Sequence, residues 1–238
     1  MTRIPSPRAW RRRRSLVAPL IAALNRWSPF WGPQLVVAAA IILDFALPEK
    51  LTLGPSWLLP GVETLLLLGL VFYSPNEKFH HSRWRRRVAI GLIAVVSIVN
   101  VLSLVLLAHY LLHGHPSSKN GPALMFSGIA LWGTNVLLFA LWYYEIDRGG
   151  PVARMDNEEY YPDFMFAQMT DDAKPHVPAD WKPGLTDYLY LSFTNSTAFS
   201  PTDTMPLTAP AKWLMSAQAA VALVIIILVI SRAVGIVS

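Results

Sequence analysis

Apolar positions along this chain come in long unbroken runs, separated by short charged or proline-rich breaks. Residues 88–118, 31 in all, hold no Asp, Glu, Lys or Arg; nor do the 25 residues 120–144 or the 19 residues 213–231. A helix needs about 20 apolar residues to cross a bilayer, so the pattern predicts spans over 88–112, 123–144 and 211–230. Two shorter runs, 33–47 and 57–73, predict two more, as a tilted hairpin or with one partly re-entrant. Pro48, Gly54, Pro55 and Pro60 break the chain between them. The expected fold class is an all-α polytopic membrane protein with about five transmembrane helices.

One segment fits neither a span nor an ordinary loop. Residues 188–202 are 15 charge-free positions whose last third is rich in Ser, Thr and Pro. As a helix they would reach about 22 Å, short of the ~30 Å hydrocarbon core. A half-length helix, then irregular polar backbone, then a full span predicts a re-entrant loop. Such backbone is tolerated at membrane depth only where protein buries it or it lines water.

Composition agrees with the membrane reading. The chain is 53% hydrophobic and 15% charged, with a mean hydropathy of +0.38; soluble domains carry about 25% charge. Its net charge of +5 conceals two opposed blocks. Residues 1–26 hold seven arginines and no acid, whereas 145–187 hold ten acids against four bases. An arginine cluster ahead of an apolar run marks the cytoplasmic side more often than a nucleic-acid site. Residues 1–32 therefore read as a basic cytoplasmic leader, and as an interfacial helix with Trp10, Trp27 and Trp31 near the headgroups. The absence of cysteine excludes disulfides, thiolate metal ligands and cysteine nucleophiles.

The segment 187–208 resembles the pore module of tetrameric potassium-channel-type proteins, built as pore helix, T-x-G-Y-G-D filter and inner helix. The likeness runs through Leu191, Ser192, Phe193, Thr194 and Thr197, and resumes at Asp203, Pro206 and Thr208. It implies a filter over Ala198, Phe199, Ser200, Pro201 and Thr202, with Thr197 leading in and Asp203 at the mouth. Residues 123–144 would be the outer helix and 211–230 the inner helix of a homotetramer. Potassium filters use backbone carbonyls and need glycine's dihedral freedom. Here Ser200 and Thr202 stand at the glycine positions and Pro201 at the tyrosine. Proline fixes φ near about −65° and has no N–H, so the expected filter is non-standard and its lining is hydroxyls and carboxylates. More loosely, residues 85–238 resemble a group of uncharacterised bacterial inner-membrane proteins, which implies no activity.

The expected function is thus an ion-channel-like protein of the bacterial inner membrane, passing monovalent or divalent cations. The alternative is a non-conducting accessory protein whose Phe199 and Pro201 plug the axis. Within the extramembrane loop 145–186, Asp156, Glu158, Glu159 and Asp163 could form a divalent-cation site, raise the cation concentration at a pore mouth or simply be solvated. Phe164, Phe166, Tyr160 and Tyr161 predict that part of this loop packs. Sidedness has two readings. Charge bias at 8–14 and 83–87, with two spans between Arg87 and the loop, returns the loop to the cytoplasm; the channel resemblance puts it outside.

Single residues add little. Asp44 and Glu63 lie close enough to span ends to face water. Asn100 and Asn135 predict hydrogen bonds across helix interfaces. His109, His113 and His115 read as a wet helix end rather than a metal site, and Glu145, Asp147 and Arg148 as an ion pair or an oligomer contact. No nucleophile elbow, zincin motif or phosphate loop occurs. The chain is expected to have no cofactor, no metal, no nucleic-acid partner and no enzymatic activity.

Overall fold

A computed structural model describes residues 33, 35–43, 83–113, 121–155, 161–179, 181–197 and 203–237. Three long helices, α1 (Arg83–His113), α2 (Gly121–Ile146) and α5 (Ala209–Val237), carry the apolar runs. Their spans, Arg86–Leu111, Leu124–Gly149 and Ala209–Ser231, are 26, 26 and 23 residues long. At 1.5 Å per residue the shortest reaches about 34 Å, enough for a hydrocarbon core. The protein is largely helical, with three helices long and apolar enough to cross a membrane among the described residues. Of the two shorter runs, 35–43 is helical; 57–73 lies outside the described residues, as does the leader 1–32.

α2 is the central helix. Its span is 61% buried, against 39% for α1 and 17% for α5, because α1, α5 and the short helix α4 (Leu185–Thr197) all pack on it. Two apolar clusters divide the bundle. Leu104, Leu107, Leu124, Leu131 and Ile225 fill one half. Val37, Ile93, Val96, Leu138, Leu141, Tyr143, Tyr188 and Leu191 fill the other, beneath the polar loop. Close approach of α2 and α5 depends on Gly128, where any Cβ would collide with Val229.

The end of α2 is a sharp turn. Arg148, Gly149 and Gly150 take φ of 51°, 75° and 99°, the left-handed region that favours glycine. A Cβ on Gly150 would also lie 3.1 Å from the Glu145 carbonyl oxygen. The released carbonyls at this helix end would otherwise be orphans. Arg154, on the short helix α3 (Pro151–Met155), donates from Nη1 to Tyr144 O and Asp147 O, both at 2.8 Å. Arg86 of α1 donates to Glu145 O at 3.1 Å. Two guanidinium cations thus sit at the negative pole of the α2 dipole.

Two-residue strands β1 (Phe164–Met165) and β2 (Met205–Pro206) pair antiparallel, Phe164 opposite Pro206 and Met165 opposite Met205. Phe164 and Phe166 are buried, as the aromatic pattern predicts, while Tyr161 is 93% exposed; Tyr160 lies outside the described residues. Gly184 and Asp187 start α4: the Asp187 carboxylate accepts the Gly184 N–H at 2.7 Å, the reach-back half of a capping box.

α4 begins at the loop end of the bundle, where Tyr188 meets Asp147. Its contacts extend along α2 as far as Val136 and Trp132, about 16 and 22 Å along the helix axis from Asp147. By Leu207 and Thr208 the chain is back at the loop end, bonded to Asp163. At 13 residues, α4 is about 20 Å long.

Gly128→Ala is expected to lower stability by about 1–3 kcal/mol through overpacking. Adding Val229→Ala in the same chain should recover a large part of that loss, because the collision is with the Val229 side chain. Thermal unfolding of the detergent-solubilised single and double variants checks this; equal losses in both would mean that the two helices do not meet there.

Candidate functional site

The residues that hold α4 form two polar tiers. In the inner tier Gln218, on α5 and fully buried, joins three helices. Its Nε2 donates to Ser192 O at 2.9 Å and to Ser192 Oγ at 2.6 Å. Its Oε1 accepts from Tyr143 of α2 at 2.5 Å and from Asn195 Nδ2 at 2.9 Å. Ser192 Oγ in turn donates to Val136 O at 2.6 Å, and Asn195 Nδ2 also reaches Met215 O at 3.0 Å. Every hydrogen-bonding group of the Gln218 amide oxygen and nitrogen therefore faces a partner. That matters because an unpaired buried polar group costs about 1–3 kcal/mol.

The outer tier is built around Asp147, which is fully buried. One carboxylate oxygen accepts the Tyr188 hydroxyl at 2.5 Å. The other accepts the backbone N–H groups of Asp163 and Phe164 at 2.8 and 3.4 Å. Arg148 Nε lies 4.0 Å away. Arg154 stacks its guanidinium over the rings of Tyr144 and Tyr188, 4.6 and 5.2 Å from their centroids. These two rings meet edge-on, and Tyr188 also meets Phe166 edge-on, a favoured quadrupole geometry. At the α4 start, burial raises the Asp187 carboxyl above the usual carboxylate range, partly offset by its bond from the Gly184 N–H.

The sequence-derived site residues fall as follows. Thr197 is the last residue of α4, and its hydroxyl donates back to Thr194 O at 2.9 Å. Ala198, Phe199, Ser200, Pro201 and Thr202 lie outside the described residues, as do Asp156, Glu158 and Glu159. Asp203 is exposed, and its carboxylate accepts the Tyr190 hydroxyl at 3.5 Å. Asp163 is half-buried and tied down. Its two oxygens accept the Arg148 backbone N–H at 3.0 Å and the Thr208 hydroxyl at 2.5 Å. Asp163 precedes β1 and Asp203 precedes β2, so the antiparallel register puts them at opposite ends of the ladder. The structure does not bring these two acids together.

Asn100 bonds across the α1–α2 interface to Leu131 O at 3.4 Å, as its position predicts. Among the described residues the buried Asn135 amide nitrogen has no hydrogen-bond partner. His109 and His113 stack, 4.6 Å apart; among the described residues no group of three or more His, Cys, Asp or Glu is placed to hold a metal. Glu145 and Asp147 are buried within the chain; Asp147 forms the expected ion pair with Arg148, at 4.0 Å, and accepts shorter hydrogen bonds from Tyr188 and Asp163. A sequence reading that weighs Asn100 and Asn135 passes over Gln218. Its signal is nonetheless present, since it is the sole amide in the apolar run 213–231, and polar side chains inside spans join helices.

No protein-family model matches the chain, and no curated protein or solved structure matches it.

Gln218→Leu keeps the side-chain volume but strips partners from Ser192, Tyr143 and Asn195. It is expected to destabilise the protein by about 2–3 kcal/mol, read as a lower midpoint in denaturant titration. Leu223→Ala, at a 51% exposed position of the same helix, should stay within about 0.5 kcal/mol. Asp147→Ala should exceed both, at about 3–5 kcal/mol, because it strips the acceptor from the Tyr188 hydroxyl and from the Asp163 and Phe164 N–H groups and removes the carboxylate beside Arg148.

Proposed function

We propose that α4, the connection 198–202 and α5 form a re-entrant, pore-like hairpin. Four copies of the chain gather it round a common axis as a cation channel with a glycine-free filter, in the inner membrane of a bacterial cell. The observation that carries this reading is the placement of α4. A helix of 13 residues leaves the polar end of the bundle, runs between α2 and α5, and is followed by a return to that same end. It is too short to cross a bilayer, and buried side-chain bonds hold it at depth, as non-spanning backbone requires.

In this arrangement the hydroxyls of Thr197, Ser200 and Thr202 supply polar lining in place of a carbonyl cage, with Ala198, Phe199 and Pro201 between them. Asp203, exposed beside Tyr190, gives a ring of four carboxylates at the mouth. Asp156, Glu158 and Glu159 add to the negative field there. Asp163 contributes its charge from a fixed position, since both its oxygens are engaged. The polar tiers keep α4 rigid against α2 and α5, which a pore needs if its lining is to hold one geometry.

A second reading is favoured by one feature of the sequence. Pro201 restricts the backbone where a potassium filter needs freedom, and Phe199 adds a large ring two positions earlier. A tetramer with these on its axis would be plugged, leaving an accessory protein with a channel's architecture. Flux of sodium, potassium and calcium into liposomes holding the purified, assembled protein separates the two. The channel reading expects flux, and expects Asp203→Asn to reduce it several-fold without altering assembly. Assembled protein that passes no cation leaves the accessory reading in place.

A further inference from the structure

The hairpin has a direction, and the basic residues give it. Arg86, at the head of α1, donates to Glu145 O at the tail of α2. The same end of the bundle holds Arg154 on Tyr144 O and Asp147 O, the Tyr188–Asp147 bond at the start of α4, and the Thr208–Asp163 bond at the start of α5. Here, too, β1 and β2 pair. So the beginning of α1, the end of α2 and both ends of the α4–198–208 excursion lie on one side of the apolar zone.

Lysine and arginine near the span ends collect on that side. Arg83, Arg85, Arg86 and Arg87 head α1, Arg148 and Arg154 follow α2, and Lys212 sits in the first turns of α5. The opposite side has Arg232 near the end of α5, and the stretch of sequence between α1 and α2 contains a single basic residue of this kind, Lys119. Arginine and lysine close to span ends remain in the cytoplasm, and acids have little say in the matter. The ten acids of 145–187 therefore do not pull the loop outward.

We propose that the α4–α5 hairpin opens to the cytoplasm, the reverse of the direction implied by the potassium-channel resemblance. Cations reach Asp203 and the mouth from the cytosol, and the folded cap of residues 147–155, 161–179 and 181–184 is a cytosolic structure beside it. The access of cations rests on the pore reading above; the sidedness does not.

The chain lacks cysteine, so single introduced thiols report their side directly. Asp172→Cys and Ala167→Cys, both at exposed positions of the cap, test one side. His113→Cys, exposed at the far end of α1, and Ser118→Cys, in the connection after it, test the other. The full chain is expressed in cells, and a membrane-impermeant maleimide is added outside, before and after permeabilisation. The expected result is at least tenfold stronger labelling of positions 113 and 118 from outside, with positions 167 and 172 reacting only after permeabilisation. External labelling of 167 and 172, alone or together with 113 and 118, would overturn the proposal. Absence of ion flux with the expected labelling pattern would remove the pore and leave the orientation intact.

Discussion

A primary amide buried among apolar helices must find partners for two N–H groups and an oxygen, and Gln218 finds all of them on α4 and α2. This requirement fixes α4. Ser192 receives the amide protons and passes its own to Val136 O; Tyr143 and Asn195 supply the donors to the amide oxygen. Because apolar packing against lipid-like neighbours is not selective, helices in a membrane are positioned largely by close packing and such polar joints. The Gln218 joint draws on three elements at once, so α4 cannot slide along α2 or roll on α5 without leaving donors and acceptors unpaired.

The outer tier extends the same logic to the polar end. Asp147 collects the Tyr188 hydroxyl and two backbone N–H groups, and Arg154 caps the α2 carbonyls while stacking on Tyr144 and Tyr188. Asp163 then binds the returning chain at Thr208. One strained turn, Arg148 to Gly150, makes the arrangement possible by aiming the chain back over α2. A short helix held at both depths, next to a span that is 17% buried, leaves most of α5 free to meet lipid or other copies of the chain.

The long helices were legible in the sequence because a bilayer imposes one simple length rule, and 88–112, 123–144 and 211–230 satisfy it. Their bounds moved outward, since Arg83, Arg85 and Arg86 are good helix formers and nothing obliges a helix to stop where hydrocarbon does. The half-length helix was visible from its length and charge, but it starts at Leu185 rather than Tyr188 because Asp187 serves inside its first turn as a cap. What could not be read was the pairing. Gln218 is 23 residues from Asn195 and 75 from Tyr143, and no local pattern joins them. Asp163 shows the same limit: in sequence it is one of a run of acids, and in the fold it is a bonded anchor whose partners, Arg148 and Thr208, lie on either side of α4 in the chain.

The central claim is that α4 is held at depth in order to face an axis shared by several copies. Single-particle electron microscopy of the purified protein in lipid nanodiscs tests it most directly. The account predicts a four-fold particle in which Thr197 and the residues after it converge on the axis while Gln218 lies behind them. A monomer or dimer, or an assembly with α4 turned away from its symmetry axis, would contradict it.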